Sequence, residues 1–299
     1  MAKFPASEPE IRALAAKHGL ALDGPLEIND MGLDFRVVIA KSERGAAWVL
    51  RIPRRADVLP RAEYEAKVLA FLEGKLPAAV PEWRVFTPEL IAYPHLSDPT
   101  ALSFDPATYA VTWHMDQNSP AYVTSLARVL VALHALAPPA VRTAGLTGLE
   151  PDEFRGAFEK DFYRVRETIG VGPELAKRLQ AWIDDESSWP GFATLVHGDL
   201  YAGHLLVDKQ GGVTGIIDWT EAKLGDPAVD FASHLQIFGR ESLERLLREY
   251  ERAGGRVWPR MPDQIEARLA AAPIRYGVFA IESGHAEHLA AAKTQLGVA

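Results

Sequence analysis

The 299-residue sequence contains no cysteine. That excludes a disulfide framework, a thiol nucleophile and any thiolate metal site. It fits a reducing cytoplasm, where the protein is expected. No stretch of about 18 uninterrupted apolar residues occurs, so no transmembrane helix and no membrane partner are expected. Met1-Ala2-Lys3-Phe4-Pro5 carries no apolar core of a leader, so no secretory signal is expected either. Basic residues are in deficit, 32 Lys and Arg against 40 Asp and Glu, for a net charge of −8. The densest basic cluster, Arg51-Ile52-Pro53-Arg54-Arg55, is too short to track a duplex, and nucleic acid is not expected as a partner. An acidic surface instead tolerates or attracts a cationic small molecule.

At 48% hydrophobic residues the chain can build a substantial core, and its length suits roughly two domains. Ser7-Glu8-Pro9-Glu10 reads as a capping box opening a helix that Gly19 closes, with Ile11, Leu14, Ala15 and His18 on its inner stripe. The period then changes. Leu26 to Ala40 and Ala47 to Pro53 are β-branched or aromatic runs around the turn Glu43-Arg44-Gly45, giving two or three antiparallel strands. Arg61 to Glu73 is a helix with Tyr64, Val68, Leu69 and Leu72 on one face. Thr87 to Leu96 is extended, because Pro88 and Pro94 forbid a helix. Beyond Ser97-Asp98-Pro99 the pattern is helical, over Ser125 to Leu136, Pro151 to Ile169, Pro173 to Asp185 and from Glu241 onward. One break interrupts it: Leu205-Leu206-Val207 and Val213 to Ile217 form a hairpin across Asp208-Lys209-Gln210-Gly211-Gly212. The expected division is therefore a strand-rich segment over 1–96 and a mainly helical one over 97–299. No heptad or symmetric patch suggests self-association, so a monomer is expected.

The chemistry concentrates in Leu195 to Asp230. A loop carries His197, Gly198, Asp199 and His204, and the hairpin then delivers Asp218, 19 residues after Asp199. A hairpin returns its ends to one place, so Asp199, His204 and Asp218 are expected to converge. Two carboxylates beside an imidazole are costly to bury without a counter-charge, and a divalent cation would supply it. Other groups have plainer readings. His134 is a satisfied structural histidine, and Asp226 before Pro227 is a helix N-cap. Asp230 braces the loop. Glu282, His285 and His288 recur at helical spacing but lack a water-activating Glu-x-x-His context, so a solvated or pocket-lining face is the simpler reading.

The order H-G-D, a His five residues after that Asp, a hairpin and then I-I-D-W resembles the core of the antibiotic (aminoglycoside and macrolide) phosphotransferase family. The resemblance extends to the Arg51 strand, the Glu65 helix, Phe71-Leu72-Glu73-Gly74-Lys75-Leu76-Pro77, Leu133-His134 and Gly225-Asp226-Pro227-Ala228-Val229-Asp230-Phe231. It implies an α+β, two-lobed protein-kinase-like fold. The strand-rich N-terminal lobe would bind nucleotide, and the helical C-terminal lobe would carry the catalytic loop and acceptor pocket. It implies that Asp199 orients and deprotonates an acceptor hydroxyl, and that Asp218 and His204 hold Mg²⁺. Most of the family carries Asn where this chain has His204; the macrolide 2′-phosphotransferase branch shares the His. Arg51 stands where the family has a phosphate-holding Lys, and Glu65 is its matching acid. The first hairpin turn, Met31-Gly32-Leu33-Asp34-Phe35, has one glycine rather than G-x-G-x-x-G, with backbone donors near Asp34. The purine is expected against Tyr93-Pro94-His95-Leu96.

The branch resemblance implies GTP as donor, with ATP possible, and a macrolide's 2′-hydroxyl as acceptor. Trp113, Tyr201, Tyr276, Phe279 and Glu282, with Asp199, are the candidate acceptor-binding residues, since an apolar ring bearing an amine needs an apolar wall, an aromatic face and a carboxylate. The mostly apolar Ala271 to Val298 favours a macrolide over a polycation. The rivals are a kinase for an aminoglycoside, choline or sugar amine, a metal-dependent hydrolase using His197, Asp199, His204 and Asp218, and a silent nucleotide-binding module.

Overall fold

The computed structural model describes residues 7–30, 32, 34–105, 108 and 110–298. The expectation of no leader rests on residues outside that set, as do Met31 and Leu33 of the first hairpin turn. In chain order the elements are α1 (Glu8–Lys17), β1 (Leu22–Asn29), β2 (Phe35–Ser42), β3 (Ala47–Pro53), α2 (Leu59–Leu72), β4 (Val85–Phe86), β5 (Ile91–Pro94), β6 (Leu102–Phe104) and β7 (Val111–Trp113). Then come α3 (Pro120–His134), α4 (Pro138–Thr143), α5 (Glu153–Thr168), α6 (Pro173–Asp184), β8 (Thr194–Val196), β9 (Leu205–Val207), β10 (Val213–Ile216) and β11 (Lys223–Gly225). The chain finishes with α7 (Val229–Arg252), α8 (Met261–Ala270), α9 (Ala272–Ser283) and α10 (Ala286–Gln295). No described helix is long and apolar enough to cross a membrane.

Contacts group the chain into two compact units, Met1–Ser119 with Gly203–Thr220, and Pro120–Ala202 with Glu221–Ala299. The β9–β10 hairpin, which runs on to Asp218, thus belongs with the strand-rich unit. It is tied there by its backbone: Ala79 N–H donates to Thr214 O and Ile216 N–H to Ala79 O, both at 2.8 Å.

The first unit is built on an antiparallel sheet in the order β1-β2-β3-β5-β4. Alternation along each strand gives it two apolar faces. Val38, Leu50, Ile52, Leu90 and Ala92 point to one face and pack with Ile11, Leu14 and Ala15 of α1. Val49, Ile91 and Tyr93 point to the other and pack with Phe35, Val58 and Ala62. The period of two places Arg51 on the face it shares with Val49, the face that α2 covers. Helix α1 begins as the capping box requires, with the Ser7 N–H donating to Glu10 Oε2 at 2.9 Å.

The second unit is helical around a core of Phe158, Phe162, Val165, Leu179, Trp182, Ile274, Ala280, Ala292 and Leu296, drawn from α5, α6, α9 and α10 and the turn after α10. The two-stranded β8–β11 pair, in register Lys223↔Val196 to Gly225↔Thr194, carries the chain into the H-G-D loop. Helix α7 starts at Val229, earlier than the helical pattern from Glu241 suggested, and is kinked at Gly239.

Candidate active site

In the first unit, β3 presents Arg51 and α2 presents Glu65. Arg51 Nη1 donates to both carboxylate oxygens, at 2.8 and 2.9 Å. The guanidinium lies over the Phe35 ring at 4.3 Å from its centroid. Side-chain exposure is 12% for Arg51 and 1% for Glu65. Burial pushes the Glu65 carboxyl up, Arg51 pulls it down and Asp218 pushes it up again, for a net rise above the usual carboxylate value. Burial opposes the charge on Arg51, but Glu65 and its neighbours hold its pKa above the usual value.

The hairpin brings Asp218 to this pair. Asp218 has φ +62°, in the left-handed region that few residues other than glycine enter. Asp tolerates that conformation, and local strain of this kind is a recurring feature of functional sites. His204 Nε2 lies 3.5 Å from Asp218 Oδ2. Thr220 joins the two carboxylates, its hydroxyl within reach of Asp218 Oδ1 at 2.9 Å and Glu65 Oε2 at 3.3 Å. Among the described residues no group of three His, Asp or Glu gathers as a metal cluster. The Asp218 carboxylate fits a Mg²⁺ ion that takes its other oxygens from phosphates and water, whereas the His204 imidazole beside it is a nitrogen donor, less suited to so hard a cation. The two side chains do not fit a closed transition-metal site, which counts against the hydrolase reading.

The nucleotide-facing candidates are distributed unevenly. Tyr93 is buried in the face shared with Phe35 and Val58, and burial pushes its phenol up to about 12. Its side chain is therefore core. The His95 N–H donates to Ala47 O at 2.9 Å, so that donor is committed to the sheet rather than to a purine. Pro94 pairs with Trp48 at the end of β5, and Leu96 follows half-buried. Asp34 is ion-paired with Arg55 at 2.6 Å and Arg61 at 3.2 Å, and its carbonyl accepts from Arg54 N–H. It thus anchors the turn through its side chain and carbonyl.

In the second unit, the loop after β8 is clamped from α7. Asp230 accepts from the backbone N–H groups of His197 and Gly198, both at 2.9 Å. His134 Nε2 donates to Asp230 Oδ2 at 3.2 Å, which leaves its Nδ1 to accept from the Tyr250 hydroxyl at 3.0 Å. This is the brace and the satisfied histidine that the sequence suggested. Gly198 has φ +84°, and a Cβ there would meet Glu221 O at 2.5 Å, so the central residue of H-G-D must be glycine. His197 is fully buried and its Nδ1 accepts from Asp199 N–H at 3.3 Å, a loop-shaping role. Asp199 leaves the clamp half-exposed. Arg275 on α9 reaches it, with Nη2 3.3 Å from Asp199 Oδ1 and Nη1 donating to Gly198 O at 3.0 Å.

Asp226 is not the N-cap residue of α7, which is Ala228. Its carboxylate accepts from Ala228 N–H but is otherwise held by Gln264 at 2.6 Å and Arg268 at 2.9 Å. The acceptor candidates split as well. Tyr276, Phe279 and His288 form an aromatic group, Tyr276 OH lying 3.1 Å from His288 Nδ1. Glu282 pairs with Arg164 at 2.9 Å. Tyr201 follows the H-G-D loop, whereas Trp113 lies on β7 in the first unit. A cavity of about 470 Å³ in the second unit is lined by His134, Thr194, Tyr250 and Arg256, and by none of the acceptor candidates. Thr220 and Arg275 are the contacts that sequence reasoning did not single out. Arg275 has no local signal, since its partners are distant in sequence, and Thr220 has one near partner, Asp218, and one distant, Glu65.

Each unit thus carries its own polar arrangement: the first a strand-borne cation held by a helix carboxylate with an aspartate at a hairpin end, the second a loop aspartate on a clamped turn. Residues 26–263 match the phosphotransferase enzyme family APH, and the chain belongs to that family. It is similar to a solved macrolide 2′-phosphotransferase type I, with 48% identity, TM-score 0.92 and coverage of 97% of this chain and 98% of that one. It is also similar to the apoenzyme of macrolide 2′-phosphotransferase MphH from Brachybacterium faecium, at 41% identity, TM-score 0.90, and 96% and 97% coverage. Among curated proteins, the uncharacterized YcbJ of Bacillus subtilis strain 168 is 42% identical over 97% of this chain and 95% of its own. The protein is an enzyme that transfers a phosphoryl group to a hydroxyl.

Proposed function

We propose that this enzyme transfers the γ-phosphoryl group of GTP to the 2′-hydroxyl of the amino sugar of a macrolide antibiotic, as a cytoplasmic monomer that confers resistance. The observation that carries the reading is the full-length likeness, at 41–48% identity, to two macrolide 2′-phosphotransferases. The intact catalytic loop supports it. The Asp199 carboxylate takes the proton of the acceptor hydroxyl as a bond forms from that oxygen to the γ-phosphorus. The bond from phosphorus to the β,γ-bridging oxygen breaks, and nucleoside diphosphate leaves with the electron pair. The transition state of such transfers is loose, so orientation of the hydroxyl matters more than the basicity of Asp199.

Asp218 and His204 would hold Mg²⁺, which when bound offsets the charge of the phosphates. Arg51, kept charged and oriented by Glu65, grips the phosphates in place of a lysine. The 1–96 segment, including Asp34 and the main chain from Tyr93 to Leu96, serves the nucleotide. In the 97–299 segment Tyr201, Tyr276, Phe279 and Glu282 serve the acceptor, together with Trp113. On α9, Phe279 and Glu282 follow Arg275 at spacings of four and seven residues, so one helix face runs from the Asp199 partner to an exposed aromatic ring and a carboxylate. A macrolide amine and lactone suit that sequence of groups.

The test is incubation of the purified protein with Mg²⁺, a 14-membered macrolide and either GTP or ATP, followed by mass spectrometry of the drug. Gain of one phosphoryl group, faster with GTP, is expected. An unchanged drug, with phosphorylation instead of an aminoglycoside, choline or a sugar amine, would overturn the acceptor assignment.

A further inference from the structure

We infer that Arg275 is a positioning residue for phosphoryl transfer, fixing the Asp199 carboxylate from outside the catalytic loop; the inference rests on the reading of Asp199 as the base. The loop from His197 to His204 contains no Lys or Arg. Arg275 brings a guanidinium from α9, and it makes two contacts rather than one. Nη1 binds the Gly198 carbonyl and Nη2 binds Asp199 Oδ1. A guanidinium that spans a backbone carbonyl and the next side chain fixes both the loop and the rotation of that carboxylate. With Oδ1 engaged, the rotation of the carboxylate that faces the acceptor hydroxyl is fixed. That is the kind of orientation on which a loose transition state depends.

A merely structural role does not account for the contact. Arg275 is 65% exposed and Asp199 43% exposed, and ion pairs so open to water contribute little to folding. Helix α9 is secured by its other face, where Ile274, Gly277 and Ala280 are buried. Its packing does not need the arginine. A Lys or Gln on the same helix position would pack equally well, but neither forms a two-pronged planar contact.

The experiment compares wild type, Arg275→Ala and Arg275→Lys by steady-state kinetics and thermal melting. Arg275→Ala is expected to lower kcat by about 10- to 100-fold, with KM for both substrates within about two-fold and the melting temperature within about 1 °C. Arg275→Lys should recover part of kcat, since it restores the charge but not the fork. A kcat within two-fold of wild type, or a loss confined to KM or to melting temperature, would overturn the inference. If wild type leaves macrolides unmodified, the same ratio is read on nucleotide hydrolysis to water, so a wrong acceptor and a wrong role for Arg275 give different results.

Discussion

The enzyme uses the same chemical pair twice, to opposite effect. Arg51 and Glu65 form a guanidinium–carboxylate pair sealed in the first unit, with a ring against the guanidinium and a carboxylate almost without exposure. Arg275 and Asp199 form one in the second unit with both partners open to water. Removing the sealed charges from water is costly, so losing either partner leaves an unpaired buried ion and shows as a loss of stability. The open pair costs little to form and contributes little to folding. Its value lies in orientation, and its loss should appear in turnover. Burial, rather than the identity of the residues, decides which account a salt bridge enters.

The largest effect should come from the sealed pair. Glu65→Ala strands Arg51 and should destabilise the protein by about 3–5 kcal/mol in urea unfolding, with nucleotide binding lost as well. A loss below about 1 kcal/mol would mean that Arg51 finds water and that the two pairs are not so different. Next comes the brace. Asp230→Ala leaves the His197 and Gly198 N–H groups and His134 without their acceptor, at a cost of roughly 2–4 kcal/mol. Because the brace sets the loop, activity should fall with it, unlike the Arg275 variant, in which activity falls alone. Asp230→Asn keeps one acceptor oxygen and should fall between.

The smallest effect is confined to acid. His234 on α7 is buried, stacks near Tyr122 and Phe238, and has an Nδ1 with no hydrogen-bond partner. Burial pushes its pKa down from 6.5 to about 4. The folded protein therefore binds fewer protons at this ring than the unfolded chain between those values, and stability rises with pH across that window. Stability is lost as pH falls below 6.5 and the loss levels off near pH 4. Against His234→Gln, wild type should lose about 2 kcal/mol more between pH 7 and pH 5. Equal pH dependence of the two proteins would show that the ring titrates normally.

Much of this architecture is legible in the sequence because it is set locally. The capping box at Ser7, the alternation around Arg51, the one-sided helix bearing Glu65 and the hairpin ending at Asp218 are short-range patterns with a physical cause. The H-G-D loop is legible through its resemblance to the family motif, and its glycine has a physical cause in the positive φ and the approach of Glu221. What is not legible depends on distant chain. Arg275 meets Asp199 from 76 residues away, and nothing on α9 distinguishes it from any exposed arginine. The link from Thr220 to Glu65 spans 155 residues. The commitment of the His95 N–H to Ala47 follows from strand register. The grouping of 203–220 with the strand-rich unit depends on backbone bonds to Ala79 that composition cannot foretell.

The most direct test of the account is single-turnover transfer by Asp199→Asn, measured on the macrolide by mass spectrometry beside a melting curve with and without nucleotide. The account predicts that phosphoryl transfer falls by about a thousandfold or more, in the range that loss of a general base and its orientation produces. The melting temperature and its rise with nucleotide should stay as in wild type. Product formed at close to the wild-type rate would contradict the assignment of Asp199, and with it the role given to Arg275.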